Sequence, residues 1–220
     1  MITLNEVKKN PHILEFTRKT DESLDSLGYT EHGFPHAELV SARARTIARE
    51  LGFAKETQEI CAIAGFCHDM GNFLSRNFHH LLGAMLFYQT LKESFEPREL
   101  SAISQAIAYH DKAEMNFSDP VAAVLVLADK SDVRRTRVRT KDLEKIKCDI
   151  HDRVNFFTTD SKLKINKAKK IITLIIKIDT NSVPVIEYFE IFTERMTYCR
   201  KAAEFLGYKF GLVINNFKLL

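Results

Sequence analysis

With 220 residues, 45% of them hydrophobic and 28% charged, the chain is long enough to build its own core, which excludes a disordered tail or a fibre. A net charge of +3 gives no electrostatic ground for binding a nucleic acid polymer or a membrane surface. The start, "MITLNEVKKNPHILEF", has no apolar leader, and the longest apolar run, "IITLIIKI", is too short to span a bilayer. The four cysteines (Cys61, Cys67, Cys148 and Cys199) form no close CxxC pair, so a cytoplasmic protein with reduced thiols is expected.

In chain order, residues 1–28 read as a helical extension. From 36 to 52, "HAELVSARARTIARELG" spaces Leu39, Ala42, Ile47 and Leu51 as a helix does, and Gly52 is a natural stop. "KETQEICAIAGFCHDMG" (55–71) begins amphipathic and becomes apolar nearly all round, as a helix entering a core does. Helices are predicted over 79–95, 98–112 and 119–135, the last with Pro120 in its first turn. After about residue 150 the texture changes. Two strand-like runs flank a Lys/Asn turn within 152–179, a long amphipathic helix covers 183–207, and "YKFGLVIN" reads as a last strand. The fold class is therefore mostly α, a helical bundle with a small C-terminal α/β element (hairpin, helix, strand). The expected divisions are 1–28, 29–150 and 151–220.

Six of the eight histidines (His32, His36, His68, His79, His80 and His110) lie between positions 32 and 110, several at helix ends. His68 and Asp69 close the apolar helix, with Gly71 read as the residue that terminates it. A carboxylate there faces the negative end of the helix dipole and is desolvated as well. A divalent cation would reverse both penalties; a plain buried His–Asp hydrogen bond is the equal alternative on these residues alone.

The ordered set His36, His68-Asp69, Asp129 resembles the HD superfamily of metal-dependent phosphohydrolases. "YTEHGFPHAELV" (29–40) looks like that family's TxHxxxH entry, "CHDMG" like its HDxG centre, and "VLVLADKSDVRR" (124–135) like its late apolar helix with an aspartate ligand. The resemblance covers about residues 29–140. His151-Asp152, a second HD dipeptide, reads as a surface decoy because no apolar helix leads into it.

The resemblance implies His36, His68, Asp69 and Asp129 as metal ligands. It adds His79, followed by Gly83-Ala84 at the family's H-x-x-x-G-A spacing, and His110 of "YH", as ligands of a second ion. The alternative is that His79 and His110 line a mononuclear site. Mixed His and Asp ligands suit Mn²⁺, Fe²⁺, Mg²⁺, Ni²⁺ or Zn²⁺. Asp69 is the candidate to bridge the ions and orient a water, with His68 and His110 beside it as catalytic residues. Lys130 and Arg134 are the preferred phosphate donors of the basic run 129–139, with Asp132 placed to pair with such cations. His32 is read as a substrate-side residue, a plain surface histidine being the equal alternative.

Two departures narrow the expectation. Asn72 stands where many relatives, reading HDxGK, have lysine, and "HDKAEMNFSDP" replaces the Gly-Tyr-Pro tract of the cyclic-dinucleotide phosphodiesterases. The implied activity is hydrolysis of a nucleotide or other small phosphoester. The alternatives are a sensor that binds a phosphorylated ligand without turnover and, more weakly, an iron oxygenase on the same fold. The apolar residues of the long C-terminal helix (Tyr188, Phe189, Phe192, Met196 and Cys199) are expected to pack on the strands or on a second subunit of a homodimer.

Overall fold

The periodic runs of the first half fold as helices in the computed structural model, which describes residues 2–112 and 115–219. The chain divides into two units, Met1–Asp129 and Lys130–Leu220. The first holds α1 (Leu4–Val7), α2 (Pro11–Ser26), α3 (Phe34–Leu51), α4 (Lys55–Cys67), α5 (His79–Leu91), α6 (Pro97–Tyr109) and the body of α7 (Pro120–Lys130).

Local chemistry sets these boundaries. Thr3 and Glu6 form a reciprocal capping box on α1, and the Asn10 side chain accepts from the backbone N–H groups of His12 and Ile13 at the start of α2. Gly52, with φ of +88°, ends α3 in the left-handed region that favours glycine. Within the unit, α3 packs along α4, α5 along α6, and α4 against α6. Gly65 makes the first of these contacts possible: a Cβ there would lie 2.9 Å from the Ser41 Cα, and Ser41 Oγ donates to the Ala62 carbonyl at 2.7 Å. Every residue from Ile60 to Cys67 is buried, as is every residue from Val121 to Lys130. α4 and α7 therefore have no solvent face over those stretches, and each large apolar side chain there contributes about 1.5–3 kcal/mol by leaving water.

In the second unit a single 3₁₀ turn (Arg135–Arg137) is followed by α8 (Leu143–Cys148), α9 (Ile150–Phe157), β1 (Thr158–Asn166), β2 (Ile171–Ile178), α10 (Val185–Phe205), β3 (Lys209–Ile214) and β4 (Phe217–Lys218). The sheet order is β1-β2-β3-β4. β1 and β2 form an antiparallel hairpin with Leu163 opposite Leu174. β3 lies parallel to β2, and α10 supplies the crossover that a parallel pair needs. Asn215 and Asn216, both at positive φ, make the two-residue turn into β4. Tyr188, Phe192, Met196, Cys199 and Ala203 of α10 are buried.

The expected mostly-α fold with a C-terminal hairpin, helix and strand is what forms. The helix expected over 119–135 ends at Lys130, α8 and β4 are additions, and one further stretch differs in type. Residues 152–157, read as the start of a strand, are helical. The Asp149 side chain accepts from the Asp152 N–H to open α9, while Val154 and Asn155 are buried along one side. Among the described residues no helix is long and apolar enough to cross a membrane.

Candidate metal centre

The ends of five helices of the first unit meet at one point. His36 sits in the first turn of α3, where the Glu31 carboxylate accepts from the backbone N–H of Gly33 at 2.5 Å and of His36 at 3.4 Å. α4 closes at Cys67, with His68 as its C-cap and Asp69 just beyond. His79 opens α5, His110 caps the end of α6, and Asp129 lies in the last turn of α7.

Their donor atoms fall into two lobes shared by one carboxylate. On one side His36 Nε2 and His68 Nε2 are 3.2 Å apart, and Asp69 Oδ2 lies 3.5 Å and 3.4 Å from them. Asp129 Oδ1 completes this lobe at 3.3 Å and 3.6 Å from the same nitrogens. On the other side His79 Nε2 and His110 Nε2 are 3.1 Å apart, with Asp69 Oδ1 at 3.4 Å and 3.6 Å. Asp111 Oδ2, on a half-buried side chain, is 3.7 Å from His79 Nε2. The six principal residues are all buried.

The donor set fits divalent ions. Bonds of about 2.1 Å hold neighbouring ligands about 3.0–3.4 Å apart, close to the 3.1 Å to 3.6 Å found within the two lobes. The tautomers agree. His79 Nδ1 lies 2.7 Å from the Arg76 carbonyl and His110 Nδ1 2.7 Å from the Ile107 carbonyl. A carbonyl only accepts, so both Nδ1 atoms carry hydrogen and Nε2 is the nitrogen that each ring turns toward the other. The two Nε2 atoms face each other at 3.1 Å, a contact satisfied by a proton between them or by a metal ion that both ligate. His68 Nδ1 is held the same way, 2.8 Å from the Gly65 carbonyl. Such outer hydrogen bonds fix the ring that ligates a metal.

The electrostatics favour positive charge in the same place. Burial works to lower the pKa of His68, but Asp69 and Asp129 outweigh it and push it up to about 10. Burial resists ionisation of Asp69, yet the charge on His68 and the ring nitrogens of His110 and His68 hold its carboxyl well below the usual range. His79 goes the other way: burial, then the neighbouring His110, push it down to about 3. Its ring is neutral and ready to ligate across the physiological range.

Gly71 does not act as the sequence suggests. α4 ends at Cys67, four residues earlier, and Gly71 is not among the glycines at positive φ. Its role is close approach: a Cβ there would lie 2.2 Å from the His79 carbonyl oxygen and 2.5 Å from the Gly83 nitrogen.

Of the substrate-side candidates, His32 is buried in the same unit, its ring centre 5.5 Å from that of His36 and its Nδ1 2.6 Å from the Thr30 carbonyl. Lys130 and Arg134 belong to the second unit. Lys130 is buried at the end of α7, and Arg134 Nε donates to the buried carboxylate of Asp132 at 2.8 Å. His80 is half-buried with its ring centre 6.4 Å from that of His110. His151 is exposed on α9.

Sequence reasoning passed over one residue, Arg76. Asn72 Nδ2 donates to the Asp69 carbonyl at 2.9 Å and to Asp69 Oδ1 at 3.0 Å, and Asn72 Oδ1 accepts from Arg76 Nη1 at 2.9 Å. The available signal was an arginine four residues after the asparagine that replaces the family lysine and three before His79.

A family model described as HD domain matches residues 33–170. An uncharacterized protein of Methanocaldococcus jannaschii is 25% identical over 170 residues, which cover 67% of this chain and 65% of the relative. The chain thus spans less than two-thirds of that relative's length.

Proposed function

The chain belongs to the HD-domain family, and on that premise we propose that it is a metal-dependent phosphohydrolase acting on a nucleotide or another small phosphoester. The observation that carries the reading is the division of the Asp69 carboxylate. One oxygen faces the His36–His68 pair and the other the His79–His110 pair. In this reading His36, His68 and Asp129 would hold one ion, His79 and His110 would hold a second, and Asp69 would offer one oxygen to each. Bound there, divalent ions lower the pKa of a water and offset the charge that builds on phosphoryl oxygens. The chain's own part is to hold each donor rigid: backbone carbonyls orient His68, His79 and His110, and the Asn72 amide fixes Asp69. Burial of all six residues keeps the charges in a poorly screened environment, where they act most strongly.

The test is elemental analysis of the purified protein together with turnover of an aryl phosphate in added Mn²⁺, followed by a nucleotide panel. His68→Ala and Asp69→Ala are expected to lose metal and activity together. If both variants keep full metal and full turnover, the assignment fails. Tight binding of one nucleotide by the wild type with no turnover across the panel would instead make the protein a sensor.

A further inference from the structure

Asn72 is 3% exposed, and both hydrogen bonds of its amide nitrogen go to Asp69. The amide plane is thereby fixed, and its oxygen is turned toward the guanidinium of Arg76. Arg76 is tied to the same centre a second time, because its backbone carbonyl is the acceptor that orients His79. Its guanidinium carbon lies 5.4 Å from the centre of the Tyr29 ring, which braces the flat group on one side.

Among the described residues no carboxylate forms an ion pair with Arg76; its one side-chain hydrogen bond goes to a neutral amide. The nearest carboxylate along this chain of bonds is Asp69, and Asn72 stands between the two. The amide keeps Asp69 available to the metal-binding atoms and leaves four of the five guanidinium N–H donors unused by it. A half-buried guanidinium beside a centre built for divalent cations is repelled by them unless an anion lies between.

We propose that Arg76 binds the phosphoryl oxygens of the substrate on the His79–His110 side of the centre, and that Asn72 is the residue that positions it. The proposal rests on the phosphohydrolase reading above and deepens it by naming the cation that takes the phosphate. The planar fork of arginine matches two oxygens of one phosphate, which lysine meets only as a point charge.

The experiment uses the full chain loaded with Mn²⁺, and inorganic phosphate as the probe, titrated calorimetrically into wild type, Arg76→Gln and Arg76→Lys. Metal content and melting temperature are measured on each. Arg76→Gln is expected to weaken phosphate binding by about tenfold or more, the effect of losing a charged hydrogen-bond donor, with metal content unchanged. Arg76→Lys is expected to recover part of that loss. With an aryl phosphate, KM should rise in Arg76→Gln while kcat changes much less. Wild-type phosphate affinity in a metal-loaded Arg76→Gln protein overturns the role given to Arg76 and leaves the phosphohydrolase reading standing. A metal-loaded wild type that binds no phosphate overturns that reading, and this proposal with it.

Discussion

Gly71 shows how little room the centre leaves. The loop after α4 carries Asp69, the first turn of α5 carries His79, and the two side chains meet at 3.4 Å. That meeting requires the backbones themselves to touch, and the 2.2 Å separation that a Cβ at Gly71 would have from the His79 carbonyl is one no real Cβ tolerates. Gly83 is the smaller half of the same contact, since a Cβ there would lie 3.3 Å from the His68 carbonyl. Gly71→Ala is therefore expected to push the start of α5 off the loop, with a stability loss of about 1–3 kcal/mol, the usual cost of overpacking. His79 and His110 should suffer more than His36 and His68. Metal content is expected to fall toward the half of the site that α3, α4 and α7 provide. Gly83→Ala should be milder in both respects. Thermal melts and metal stoichiometry check this, and a Gly71→Ala protein with wild-type values for both would refute it.

At the scale of elements, one acid of α4 ties α1 to α3. Glu59 of α4 accepts from the Leu4 N–H at 2.6 Å and pairs with Arg45 of α3, also at 2.6 Å, joining three helices. Burial works to raise its pKa, but the Arg45 hydrogen bond and the Leu4 N–H hold it below its ordinary 4.5. A depressed folded-state value means the ionised form favours the native state. The stabilisation is complete above 4.5 and is lost as pH falls through the lowered value. Glu59→Gln keeps an acceptor for Leu4 and loses the charge, so it should cost about 1 kcal/mol near neutral pH. Wild type and variant should converge in acid, as chemical denaturation from pH 7 to 3 would show. Elements such as α2, α3 and α6 were legible because their signals are local: a cap, a proline in the first turn, a closing glycine. α9 was not, because "DRVNFF" has the residue types of a strand and turns helical through a cap at Asp149 and the burial of Val154 and Asn155.

At the scale of the molecule, the ordered motif gave the list of metal-binding candidates but could not give their grouping. That Asp69 faces a histidine pair with each oxygen, or that Asn72 leads to Arg76, depends on how residues tens of positions apart approach in space. The grouping has a consequence for the whole chain. His36, His68, Asp69, His79, His110 and Asp129 come from five helices, and all lie in the unit Met1–Asp129. Ions held by them would cross-link α3, α4, α5, α6 and α7 at one point. Binding to the native state alone stabilises it by about 2.7 kcal/mol when free metal is a hundredfold above Kd. The unit Lys130–Leu220 supplies none of these ligands, and its sheet is joined by its own ladder of β1-β2-β3-β4. Amide exchange compared between chelator-treated and Mn²⁺-loaded protein should therefore slow at the start of α3, around residues 68–79, at the end of α6 and in α7. Exchange in β1–β4 should stay as it was. Protection spread evenly over both units, or confined to the second, would show that the metal binds elsewhere than among these six residues.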